Sequence, residues 1–144
     1  MTEAELTEFL DAAGTGVLSL ASDDTPYSIP VSYGFEPSER RFYLRLGFGP
    51  GSEKTRFVAD PEAPTARLVV YDRLGDEWRS VVAEGPLTGV DDDEIDLSVV
   101  RTLRRAALPV RAAFDVPEDE VEFRMYALDP TALTGRRAPT DGDE

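Results

Sequence analysis

The spacing of apolar residues changes at Gly14. Before it, Leu6, Phe9 and Leu10 recur at helical spacing, and Thr2 with Glu5 three residues later forms a capping box. Residues 2–13 therefore read as a short amphipathic helix, ended by Gly14. After it the period is two. Gly16 to Ala21 and Thr25 to Phe35 read as strands joined by Ser22-Asp23-Asp24. Arg40 to Leu46 follows the turn Glu36-Pro37-Ser38-Glu39 as a third strand. Ala66 to Tyr71 and Trp78 to Val90 are the fourth and fifth, joined around Leu74-Gly75-Asp76. Val121 to Leu128 is the sixth, with Val121, Phe123 and Met125 on one face and Glu122 and Arg124 on the other.

Two further helices are predicted. One opens at the glycine-rich loop Gly47-Phe48-Gly49-Pro50-Gly51-Ser52 and runs from about Ser52 to Ala59, closed by Asp60-Pro61. The other begins at Asp91-Asp92-Asp93-Glu94, where four acids suit the positive end of a helix dipole, and runs to about Leu108. The tail after Arg137 is polar and is expected to be loose. With no repeat and no linker, residues 1–137 form one domain and 138–144 a tail. Strands in a meander with few helices predict a mainly β fold, a six-stranded antiparallel barrel with peripheral helices. Such barrels bind ligands at their mouths or at subunit seams.

Composition narrows the chemistry. The 144 residues contain neither Cys nor His, which excludes disulfides, thiolate nucleophiles, Ser-His-Asp triads, His-ligated haem and most zinc sites. Unbroken apolar runs do not exceed four residues, so no transmembrane helix is expected, and an acidic N-terminus with Glu3, Glu5 and Glu8 is no signal peptide; a cytoplasmic protein is the expectation. A net charge of −14 repels polyanions and argues against nucleic-acid binding. The basic residues are 14 Arg and the single Lys54. An acidic surface nearly free of Lys suits a protein kept soluble in concentrated salt (halophilic), where the Debye length is about 3 Å at 1 M. An acidic mesophilic protein or a Lys-poor, high-GC genome would give the same composition.

A lone Lys draws attention to its loop. In Gly51-Ser52-Glu53-Lys54-Thr55, glycine permits close backbone approach, Ser52 and the first helix amides offer donors, and Lys54 adds a full charge. A phosphate monoester needs this combination, although the Walker A spacing is absent and a plain N-capped turn would also read this way.

Taken in order, several segments resemble the flavin-binding split-barrel family, the proteins related to pyridoxamine 5′-phosphate oxidase. Pro26-Tyr27-Ser28-Ile29-Pro30-Val31-Ser32-Tyr33 resembles the family's second strand and Arg41-Phe42-Tyr43-Leu44-Arg45 its third. Gly51-Ser52-Glu53-Lys54 is similar to its phosphate-binding loop, Pro64 to Tyr71 to its next strand, and Trp78 to Gly85 to its fifth. Leu133-Thr134-Gly135-Arg136-Arg137 resembles its closing segment. The resemblance implies a homodimer of split barrels holding two FMN molecules at the subunit seam. By position, Gly51, Ser52 and Lys54 would hold the phosphate, and Ile29, Pro30, Val31 and Ser32 would lie along the isoalloxazine ring. Leu44 and Arg45 would sit near the ribityl chain or ring, and Ser80, with Trp78 and Val81, would approach from the fifth strand.

The function implied is a flavin-dependent oxidoreductase acting on an unidentified small molecule, with a nicotinamide donor or the substrate supplying electrons. A flavin carrier, electron-transfer or redox-sensing module without turnover, a deazaflavin-using relative and a scaffold with an empty cleft are the alternatives. The His that nitroimidazole-reductase-like relatives have near the position of Arg45 is missing here. The Arg- and aromatic-rich C-terminal stretch of the vitamin-forming oxidases is not reproduced after Gly135 either, so pyridoxamine phosphate oxidation is not expected. Tyr33 and Tyr43 read as packing residues.

Overall fold

The computed structural model describes residues 1–48, 64–91 and 122–139. One helix precedes the strands: α1 (Glu3–Ala13), β1 (Thr15–Ser22), β2 (Thr25–Glu36), β3 (Arg41–Phe48), β4 (Thr65–Leu74), β5 (Glu77–Gly89), β6 (Glu122–Leu128) and β7 (Ala132–Pro139). The predicted helices from Ser52 and toward Leu108, and Val121, lie outside the described residues.

The N-terminal reading holds in detail. Thr2 caps α1, and both arms of the capping box form: Glu5 N donates to Thr2 Oγ1 at 3.1 Å and Thr2 N donates to Glu5 Oε1 at 3.0 Å. Gly14 closes the helix at φ 76°, a left-handed conformation that glycine adopts without a Cβ penalty. Leu6, Phe9 and Leu10 are buried against the barrel.

Strands β1 and β2 form a tight hairpin in which Asp23 and Asp24 both have positive φ, as a two-residue primed turn requires. All pairings among the described strands are antiparallel, and six strands close a ring in the order β4-β1-β2-β3-β6-β5, with β5 returning to β4. The predicted six-stranded barrel is thus observed, with one addition. Residues expected to lead into a loose tail instead form β7, which pairs with β5 from Glu77↔Pro139 to Glu84↔Ala132. Regular strand therefore extends two residues past Arg137.

The addition explains the unusual length of β5. One edge pairs with β4 from Glu77 to Pro86, while the other is shared between β7 and, at Leu87–Gly89, β6. The chain crosses from β6 to β7 at Asp129-Pro130-Thr131, directly over Gly85. Asp129 N donates to Pro86 O at 3.3 Å and Thr131 N to Glu84 O at 2.8 Å. A Cβ on Gly85 would collide with the Asp129 carbonyl oxygen. Arg41 fixes the same corner through Asp129, with Nε donating to Oδ1 at 2.6 Å and Nη2 to Oδ2 at 3.3 Å.

Alternation then sorts the faces. Leu18, Leu20, Val31, Phe35, Phe42, Leu44, Leu68, Val70, Val81 and Leu87 point inward and make one core with the apolar face of α1. Burial of each such side chain is worth roughly 1.5–3 kcal/mol relative to exposure. Tyr33 joins them with its hydroxyl satisfied, and Phe42 packs on Tyr33 edge-on and on Phe35 at a tilt.

Candidate functional site

Within the ring, β2 and β3 part along their length among the described residues. Strand β2 pairs with β1 over Thr25–Ser32, but with β3 only over Tyr33–Glu36. The last β2–β3 pair is Tyr33↔Leu44, after which the two strands part. Along Ile29–Ser32 the β2 edge facing away from β1 has no strand partner among the described residues, and the facing edge of β3 is likewise open from Arg45 onward. An opening between two strand edges that pair with no strand among the described residues is a ready place for a polar ligand edge, because backbone N–H and C=O groups take hydrogen-bonding partners.

Six of the residues singled out in the sequence flank or terminate this fork: Ile29, Pro30, Val31, Ser32, Leu44 and Arg45. Their side chains have different surroundings. Pro30 and Arg45 are exposed, and Ile29 and Ser32 half-buried. The Arg45 guanidinium lies 4.5 Å from the centre of the Phe123 ring, a cation–π contact that holds it on the outer face of β3 and β6. Val31 and Leu44 point into the core, so only their backbone is available to a ligand outside the barrel.

The residues from β5 are elsewhere. Val81 is fully buried. Trp78 and Ser80 lie on the outer face, which reaches β2 across β4 and β1: Val82 faces Val69, Val69 faces Val17, and Val17 faces Pro30. At about 4.8 Å per strand the fork and β5 are roughly 14 Å apart within one chain. The structure therefore gathers the predicted residues into two groups rather than one. Gly51, Ser52 and Lys54 lie outside the described residues.

The outer face between the groups is apolar. Val17, Val69 and Val82 form a row across three strands, continued by Pro30 on β2. Among the described residues the exposed large apolar side chains are Tyr71 and Trp78, at 63% and 45% exposure, both at the end of this face near the β4–β5 hairpin. Sequence reading missed Tyr71, because the apolar run Leu68 to Tyr71 hides the alternation in which Val70 points in and Tyr71 out.

Charge on the opposite, inward-facing side of β5 is paired off. Arg137 donates through Nε and Nη2 to the two oxygens of Glu77, at 2.8 and 3.0 Å, and through Nη1 to Glu5 at 2.6 Å. Arg79 Nε also donates to Glu77 at 3.0 Å. The Arg137 hydrogen bonds, then those of Arg79, hold the Glu77 carboxyl below the usual range. Glu5 is lowered chiefly by its hydrogen bonds to Thr2. Burial pushes the Tyr33 phenol well above its ordinary value.

No helix among the described residues is long and apolar enough to cross a membrane. No curated protein matches the chain in sequence. Solved structures do match its fold. The FAD-binding protein of Mycobacterium smegmatis superposes with a TM-score of 0.64 at 19% identity, covering 96% of this chain and 97% of that one. An FAD-binding protein from Mesorhizobium loti gives 0.63 at 20% identity, covering 95% and 93%. The FAD and heme binding protein of Mycobacterium smegmatis gives 0.64 at 18%, covering 98% and 72%. At these identities the likeness is one of fold. The family model described as pyridoxamine 5′-phosphate oxidase matches residues 2–137, and with that match, nearly the whole length of the sequence, the chain belongs to the pyridoxamine 5′-phosphate oxidase family.

Proposed function

We propose that this protein binds a flavin nucleotide and serves as a flavin-dependent oxidoreductase for a small molecule. The observation that carries the reading is the fork at Tyr33↔Leu44, where the described register of β2 and β3 ends beside the Arg45 side chain. A flat tricyclic ring with hydrogen-bonding groups along one edge fits an opening that offers backbone donors and acceptors, Ser32, and the half-buried Ile29. A bound flavin supplies the hydride and electron chemistry, and the chain's residues bind it, orient it and keep water from it. In this reading FMN is the flavin, with Ser52 and Lys54 at its phosphate. Relatives that bind FAD favour a second form of it, in which the nucleotide carries an adenylate tail.

The separation of the two groups of site residues supports a homodimer. One ligand touching both the fork and the outer face of β5 would do so most directly across a seam, with β5 supplied by a second copy. The valine row then supplies the apolar centre of the contact.

A titration of FMN fluorescence with the protein tests the reading. Saturable quenching with a Kd of about 1 μM or tighter is expected. The absence of quenching by either FMN or FAD would refute it.

A further inference from the structure

Arg136 and Arg137 are neighbours in sequence, yet β7 turns them to opposite faces. Arg137 is spent on Glu77 and Glu5. Arg136 lies in register with Ser80, which in turn faces Tyr71. In the next outward-facing row, Trp78 stands between Arg73 and Ala138. Neighbouring strands lie about 4.8 Å apart, and same-face residues along a strand about 6.8 Å apart, so these groups fit within a patch of roughly 10 by 7 Å. It holds both exposed large apolar side chains among the described residues, a serine hydroxyl and two guanidinium groups.

Neither Arg136 nor Arg73 forms an ion pair among the described residues. The Arg73 guanidinium donates through Nε to the Gly75 carbonyl oxygen at 3.2 Å, while its backbone N–H donates to Asp72 Oδ1 at 2.7 Å. In a chain with 29 acids and 15 bases, two guanidiniums on an aromatic face with no ion pair among the described residues are out of keeping with the surface around them. Glu84, on the same face of β5, is already held by Arg67, whose Nε lies 3.0 Å from it. Aromatic faces take a planar ring, and arginines take phosphate oxygens bidentately.

We infer that Tyr71, Trp78, Ser80, Arg73 and Arg136 form a nucleotide subsite that seats a planar base on the aromatics and its phosphate on the arginines. Its chemistry is that of an adenine nucleotide, whether as the tail of a bound FAD or as a separate nicotinamide dinucleotide. The subsite goes beyond the flavin reading and does not need the isoalloxazine ring to be seated.

Trp78 is the only tryptophan in the chain, so its emission reports on this patch alone. The full chain is titrated at fixed salt with ADP, adenosine and inorganic phosphate. ADP should quench saturably with a Kd below about 1 mM, adenosine about tenfold more weakly, and Arg136→Gln should weaken ADP about tenfold. Should that variant fail to fold, Arg73→Gln carries the same expectation. Absence of saturable quenching, equal affinity for ADP and adenosine, or unchanged affinity in a folded variant would each overturn the inference. FAD that blocks ADP identifies the flavin tail as occupant, and FAD that leaves ADP binding intact identifies a separate nucleotide; both outcomes keep the site. Quenching by ADP in a protein that binds no flavin would refute the proposed function and leave this subsite standing.

Discussion

The hydroxyl of Tyr33 donates to the Leu10 carbonyl oxygen at 2.6 Å, tying the barrel interior to the last turn of α1. The Tyr33 hydroxyl oxygen in turn accepts from Gly14 N at 3.3 Å. One buried phenol thereby satisfies two backbone groups at the helix C-terminus, where carbonyls lose their intrahelical partners. Removing it in Tyr33→Phe leaves both groups buried and unpaired. The expected cost is about 1–3 kcal/mol of folding stability, read as a lower denaturant midpoint at unchanged slope.

Gly85 is the point where the β6–β7 connection passes over β5. Gly85→Ala places a methyl against the Asp129 backbone, which Arg41 and the strand pairing keep from retreating. The melting temperature should fall by several degrees, in line with the roughly 1–3 kcal/mol cost of overpacking. A melting temperature equal to wild type would mean that the corner is softer than described.

The Arg137 cluster gives stability a pH signature. Glu77 and Glu5 have carboxyls lowered in the folded state, so the stability they contribute is complete above the ordinary Glu value of about 4.3. It is lost as pH falls through their folded values. Arg137→Gln should therefore be less stable than wild type at pH 7, and the two should converge on acidification below about pH 4. Parallel curves down to low pH would show that the cluster does not contribute through charge.

Lys54 tests the phosphate end of the proposed site. Lys54→Ala should weaken FMN by about tenfold or more and riboflavin little, since only FMN carries the dianion. Equal loss for both ligands, measured by the same fluorescence titration, would remove Lys54 from the phosphate site.

Much of this architecture was legible in the sequence. The Thr2–Glu5 box, Gly14, and the alternation in the first five strands predicted α1 and these strands to within about three residues. These signals are local: a cap, a turn and a period of two. What escaped depends on contacts distant in sequence. Strand β7 reads as polar because alternate residues, Thr134 and Arg136, face outward, while its inward face holds Leu133, Gly135 and Arg137. Only Leu133 of those is a large apolar group. Arg137 serves that face as the partner of Glu77, some 60 residues away. The fork followed from register alone. The residues Ile29 to Ser32 and Leu44–Arg45 were singled out by resemblance, but only the pairing shows that β2 and β3 part between them. Nor does alternation show that Trp78 and Ser80 stand on a different part of the surface from that fork, because strand order is not encoded in strand period.

The central claim is that a flavin sits where β2 and β3 part, at a seam between two copies of the chain. Its most direct measurement is size-exclusion chromatography of the protein reconstituted with FMN, followed at the flavin absorption band and with light scattering for mass. The account predicts flavin absorbance co-eluting with a dimer at about one flavin per chain. Flavin eluting freely, apart from a protein peak with the mass of a single chain, would contradict it.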